Sequence, residues 1–306
     1  LVNSGGKLHV YHAFGLNIHS EIELPGLPSQ GEAHLPAQIK IRLGQLPEHL
    51  SGATSTRRYF EASAGQLLVH IQGVGRILVE NGEYITYEPQ NGAEPSNTRL
   101  ALINLGISAL FHQRGALTLH ASAIATPSGA VLFCGKRRAG KSTLAAGLRQ
   151  HGWNLVCDDK AAMQPENEQV IVTPSFPELR LWQDAIDHLG VRAKIMEKIP
   201  EMEKFNISLE SGFHASPLPL RAIYLLESGE LPTIQFSPIT GMNKFQALKQ
   251  HTYANQFLKG MELLPAHFRL TSFIAQKIPV TKITRPSQIN QLTELIDKVD
   301  AALRSL

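Results

Sequence analysis

Residues 132–148 read LFCGKRRAGKSTLAAGL. Gly135, Lys136, Arg137, Arg138, Ala139, Gly140, Lys141 and Ser142 satisfy the spacing G-x-x-x-x-G-K-[ST], and Thr143 extends the expected nucleotide site by one residue. The two glycines let the backbone turn tightly, so that successive N–H groups converge on one anion. The following helix would bring its positive N-terminal end to the same place. Lys141 is expected on the β- and γ-phosphates of ATP, and Ser142 on Mg²⁺. An apolar strand, AVLFC, precedes the loop, and an amphipathic segment, KSTLAAGLRQHG, follows it. Both are the context such a loop requires. Arg137 and Arg138 have two readings: a solvated loop tip, or charge lent to a triphosphate or an acidic acceptor.

Seventeen residues beyond Lys141, the strand NLVC runs into Asp158-Asp159. A carboxylate at the end of a neighbouring strand is where a metal-organising acid belongs. Successive residues of a strand point to opposite sides, so two acids in a row can divide the work. One would help hold Mg²⁺ while the other takes a proton from an attacking hydroxyl.

The rest of the composition narrows the field. The chain has 306 residues, 43% hydrophobic and 18% charged, with a net charge of +3. That is enough chain for two domains, and the basic residues are too dispersed for a nucleic-acid binder. Cys134 and Cys157 lie in apolar runs and read as buried, inert thiols. No apolar stretch approaches the roughly 18 residues of a membrane span, and no leader pattern is present. A cytoplasmic location is the expectation.

Residues 1–90 read as a β-rich domain with a small antiparallel sheet, in which Asn81-Gly82 marks a tight hairpin with both residues at positive φ. EPQNGAEPSNT, residues 88–98, reads as a linker. RLALINLGISALFHQ then carries apolar residues at helical spacing, and Gly115 is its expected stop. Beyond it, apolar runs alternate with helices, which is α/β order, so residues 91–306 form the second expected domain. LRAIYLLES reads as a further strand, and 242–258 and 267–276 read as helices. The tail has Ser287 as N-cap and an apolar face running from Ile289 to Leu303. His9, His12 and His19 lack the Cys or carboxylate companions that argue for zinc. Trp153 and Trp182 flank the expected site. Core packing is their ordinary use, with Trp182 a candidate wall of an acceptor groove.

Residues 119–159, LHASAIATPSGAVLFCGKRRAGKSTLAAGLRQHGWNLVCDD, resemble the catalytic core of the HPr kinase/phosphorylase superfamily. The shared order is a His-containing strand, the phosphate loop, a helix, and a strand closing on Asp-Asp. The same arrangement more distantly resembles the nucleotide core of phosphoenolpyruvate carboxykinase. Two further stretches, YHAFGLNIHSEIELPGLP (11–28) and HQRGALTLHASA (112–123), are closer to HPr-kinase-related proteins of modified-peptide pathways. These include kinases that phosphorylate the terminal serine of lasso-peptide precursors.

The resemblance implies an α/β fold: a kinase core of the HPr kinase/phosphoenolpyruvate carboxykinase type behind a small β-rich N-terminal domain. It makes Lys141 and Ser142 the nucleotide and metal residues, Asp158 the general base, Asp159 a metal partner, and His120 an active-site residue near the transferred group. It also implies a homo-oligomer. The sequence departs from the family in two places. Arg138 stands where the loop usually has Gly. The Arg-Gly segment after the acid pair is replaced by PELRLWQDAIDHLG, in which Arg180 is the candidate equivalent. A phosphorylase activity is therefore not implied.

Three functions follow from this reading. The first is an ATP- and Mg²⁺-dependent kinase acting on a peptide Ser, with Lys141, Asp158, His120 and Arg180 as catalytic residues. The second keeps the fold but phosphorylates a small molecule such as a sugar or metabolite. The third is a nucleotide-gated binding protein without turnover.

Overall fold

The computed structural model describes residues 7–30, 35–192, 196–199, 203–286 and 292–306. It is a mixed α/β chain in two compact units. The first takes Leu1–Ala116 and Ala254–Phe268, the second Leu117–Tyr253 and Arg269–Leu306. Ser287 and Ile289, read as the start of the last helix, lie outside the described residues.

The first unit is larger than the expected residues 1–90, because the helical stretch after the linker packs on its sheet. That stretch runs from Pro95 to Gln113 and contains a π-helical segment, Leu102–Gly106. A Cβ on Gly106 would stand 3.2 Å from Ile85, so the missing side chain lets helix and strand approach. Gln113 fixes the end of the helix, its amide donating to the Val79 carbonyl and accepting the Gly82 N–H. Gly115, at φ 76°, lies just past the stop. The segment 254–268 returns to the same unit, where Phe257 meets Phe60 edge to face at 4.9 Å.

The sheet of this unit is larger than expected and not wholly antiparallel. Its order is His9–Ala13, Leu16–Ser20, Ile39–Leu43, Tyr84–Pro89, Gly75–Glu80, Gln66–Ile71, Phe60–Ser63, Ser55–Arg57. Ile39–Leu43 runs parallel to both neighbours. The hairpin at Asn81-Gly82 forms as read, with φ of 53° and 68°.

In the second unit the strand Gly129–Gly135 is buried along its whole length. Val131 and Phe133 enter one apolar cluster with Leu144 and Leu148 of the helix Lys141–Gln150 and Val299 and Leu303 of the helix Leu292–Arg304. Leu132 and Cys134 enter another with Leu248 of the helix Met242–Gln250 and Ile274 of the helix Leu264–Lys277. Both faces of the sheet are thus covered by helices, so the strand reads as a continuous apolar run. Burial pushes the Cys134 thiol up to about 12, as an inert core thiol requires.

The pairing pattern decides where the residues singled out in the sequence lie. Ala121–Thr126 runs antiparallel to Gly129–Gly135 on one side and to Asn154–Cys157 on the other. The two outer strands therefore run in the same direction and end on the same edge. Ala121 pairs with Cys134, and Ala123 with Cys157. The loop after Gly135, the acids after Cys157 and His120 before Ala121 all meet at that edge.

A second, three-stranded sheet completes the surroundings. Its order is Glu178–Trp182, Lys204–Ser208, Met196–Lys198. Leu179, Leu181 and Ile207 face the core, with Phe205 packed against them. Strand alternation then places Glu178, Arg180, Trp182, Lys204 and Asn206 on the other face.

Candidate functional site

The loop from Gly135 to Lys141 folds tightly against the sheet. A Cβ on Gly135 would stand 2.7 Å from the Leu226 carbonyl and 2.9 Å from the Ala139 Cβ, which only a glycine avoids. Gly140 takes φ 97° and caps the helix Lys141–Gln150. Lys141 is 6% exposed, and its ammonium donates to the carbonyls of Gly135 (2.9 Å) and Lys136 (3.2 Å). Burial lowers its pKa, against the pull of Asp158. A desolvated ammonium, a helix N-terminus and an open Gly140 form a cradle whose donors suit phosphate oxygens.

Arg138 occupies the left-handed region at φ 66°, the conformation a glycine would take most easily. The loop therefore holds a side chain in a conformation that glycine takes most easily, at a cost of about 1–2 kcal/mol. Its guanidinium lies over the Trp182 ring, 4.7 Å from the centroid. Arg138 is exposed, as the loop-tip reading has it, and its stacking also ties the loop to the small sheet. Trp153 stands apart from the site, donating from Nε1 to Asp300 at 2.6 Å.

The two acids do divide their contacts. Asp158 Oδ1 accepts the hydroxyls of Ser142 (2.8 Å) and Ser122 (2.5 Å), and Oδ2 accepts the Arg180 backbone N–H (2.9 Å). Three donors hold a buried carboxylate in a fixed position. The acid beside Ser142 is thus Asp158, whereas the sequence reading paired Ser142 with Asp159. A hydroxyl and a carboxylate are hard oxygen donors that fit Mg²⁺, which takes few protein ligands and otherwise keeps water and phosphate. Among the described residues, no group of three or more His, Cys, Asp or Glu side chains is placed to hold a metal alone.

Asp159 turns the other way and is itself left-handed, at φ 68°. Its Oδ2 accepts from Arg180 at 3.0 Å, and Arg180 also lies 3.5 Å from Glu178. Burial alone would raise the Asp159 pKa, but Arg180, then Lys160 and His120, outweigh it and hold the acid well below the usual carboxylate range.

His120 sits in a break between the strands Leu117–Leu119 and Ala121–Thr126, not within one strand. Its Nδ1 is 2.9 Å from the Asp159 main-chain carbonyl. A carbonyl can only accept, so Nδ1 carries the proton and Nε2 keeps its lone pair. Burial lowers the imidazole's pKa, Asp159 opposes this and Lys141 adds to it.

Three neighbours escaped the sequence reading. The His120 N–H donates to the His251 carbonyl at 2.9 Å, and burial, with Lys141 and His120, lowers the His251 imidazole to about 4. The Tyr253 ring lies 6.0 Å from that of His120, and burial pushes its phenol well above its ordinary range. The charge of Lys204 acts on both Lys141 and Asp159. All three reach the site through tertiary pairing, and no local pattern marks them. His12 lies in the first unit, where its Nδ1 pairs with Asn17 Oδ1 at 3.0 Å.

No protein-family model and no curated protein matches this chain. Among solved structures, the Hpr(Ser) kinase/phosphatase from Coxiella burnetii is similar at 15% identity and a TM-score of 0.34, covering 61% of this chain and 88% of that one. No helix among the described residues is long and apolar enough to cross a membrane.

Proposed function

We propose that this chain is an ATP- and Mg²⁺-dependent phosphotransferase that moves the γ-phosphoryl group to a hydroxyl, a peptide Ser being the acceptor class. The observation that carries the reading is the Ser142–Asp158 hydrogen bond at 2.8 Å, which joins the loop to the acid on the next parallel strand end. The resemblance of residues 119–159 to the HPr kinase/phosphorylase core supports the kinase class and the serine acceptor.

Lys141 and the loop N–H groups bind the β- and γ-phosphates of ATP. Ser142 and Asp158 would hold Mg²⁺, which when bound neutralises charge on the transferring phosphoryl group. The acceptor oxygen forms a bond to the γ-phosphorus while the bond to the β,γ-bridging oxygen breaks, and ADP leaves. Asp158 is 9% exposed and already receives three donors, so the proton is assigned instead to Nε2 of His120, whose side chain is more exposed. Asp159, kept ionised by Arg180, fixes the His120 ring through its main-chain carbonyl.

Incubation with γ-labelled ATP, Mg²⁺ and serine-containing peptides, followed by mass spectrometry, tests the assignment. Label on a serine hydroxyl is the expected result. Label on small alcohols only would make the chain a metabolite kinase. ATP binding without transfer to any acceptor would make it a nucleotide-gated binding protein.

A further inference from the structure

The polar face of the three-stranded sheet borders the acid pair, and two of its side chains have no use in the chemistry above. Trp182 pairs in register with Lys204, and Arg180 with Asn206, so these four side chains stand together on one face. Arg180 and Trp182 are engaged by Asp159 and Arg138 respectively. Lys204 is half-buried, and no hydrogen bond or ion pair of its ammonium is found among the described residues. Its charge nonetheless reaches Asp159 and Lys141. Asn206 is 6% exposed, and its buried Oδ1 has no hydrogen-bond partner.

A half-buried lysine without a hydrogen-bonded carboxylate favours an anion beside it, and a buried amide oxygen favours a donor. Both requirements fall on one face, next to the acid pair that the transfer uses. We propose that this face is the acceptor subsite, in which Lys204 binds an anionic group of the acceptor and Asn206 accepts a hydrogen bond from its N–H or O–H. The acceptor class is thus a hydroxyl compound carrying a carboxylate or comparable anion near the reacting oxygen. The proposal rests on the phosphotransferase reading for the meaning of "acceptor", but its test reads binding rather than turnover.

Calorimetry on the full chain, with Mg²⁺ and a non-hydrolysable ATP analogue present, would compare two matched pairs: N-acetylserine with its amide, and glycerate with glycerol. Wild type should bind the charged member of each pair about tenfold more tightly, the scale of one charge-assisted hydrogen bond. Lys204→Gln should erase that preference with the affinity for the ATP analogue retained, and Lys204→Arg should keep it. Asn206→Leu should weaken all four compounds and leave the charge preference in place.

Equal affinity of wild type for charged and neutral members, or no binding of any of them, overturns the subsite. Weaker binding of the ATP analogue to Lys204→Gln also overturns it, since Lys204 would then serve the nucleotide phosphates. Failure of the kinase reading looks different: the charge preference persists, but labelled ATP gives no phosphorylated product with any of the four compounds.

Discussion

Asn81 in the hairpin of the first unit and Arg138 in the loop of the second share a backbone conformation, with φ of 53° and 66°. At the hairpin the residues suit the geometry: asparagine tolerates left-handed backbone and glycine follows it. At the loop an arginine, and at the acid pair Asp159 (φ 68°), take the same conformation without that ease. Such positions persist where surrounding contacts over-determine them, and they concentrate at functional sites. Here the contacts can be named: Trp182 under Arg138, and Arg180 with His120 around Asp159. The hairpin serves the fold, and the loop is held in a conformation the fold alone does not favour.

Substitutions can break this contrast, and the largest effect belongs to function. Lys141→Ala should lower ATP affinity by about 100-fold, on the scale of losing a buried charged donor at an anion, whereas Asn81→Gly should leave it unchanged. Titration calorimetry reads both. Next comes the helix that the loop feeds. A Cβ on Gly147 would stand 2.2 Å from Ile296 Cδ1, so Gly147→Ala should destabilise the fold by about 1–3 kcal/mol through overpacking, despite alanine's better helix propensity. Thermal melting measures it. Arg138→Ala keeps the left-handed cost and loses the stacking on Trp182, a loss of about 0.5–1 kcal/mol. Arg138→Gly should be nearly neutral, because release of about 1–2 kcal/mol of backbone cost offsets the lost stacking and the glycine's own entropy. If Arg138→Ala melts as wild type does, Trp182 does not hold the loop, and if both variants melt alike, the left-handed backbone carries no cost.

What was legible in the sequence follows the same division. The loop, its strand and helix, the acid pair and the Asn81-Gly82 turn are local patterns, set by residue types a few positions apart. The extent of the first unit was not legible, because the helix through Gly106 is assigned by packing on Ile85 rather than by its own periodicity. Nor was the turn at Phe14-Gly15, where Phe14 takes φ 56° against its ordinary preference. At the site, Asp158 and His120 were visible as types, and the roles proposed for them differ from the sequence expectation because of the partners each one has. Asp158 accepts from Ser142, Ser122 and the Arg180 N–H, and His120 turns Nδ1 to the Asp159 carbonyl, so Nε2 keeps its lone pair. His251, Tyr253 and Lys204 arrive through strand pairing and chain return, which no single stretch encodes.

The account turns on one carboxylate joining the loop to the chemistry. Phosphoryl transfer from γ-labelled ATP, measured for wild type and Asp158→Asn side by side across a Mg²⁺ titration, tests this most directly. Wild type should transfer label with a saturable Mg²⁺ dependence. The variant should bind ATP without Mg²⁺ as wild type does, yet transfer about 10²–10³-fold more slowly, with its Mg²⁺ dependence shifted to higher concentration. Full transfer by Asp158→Asn, at the wild-type Mg²⁺ requirement, would contradict it.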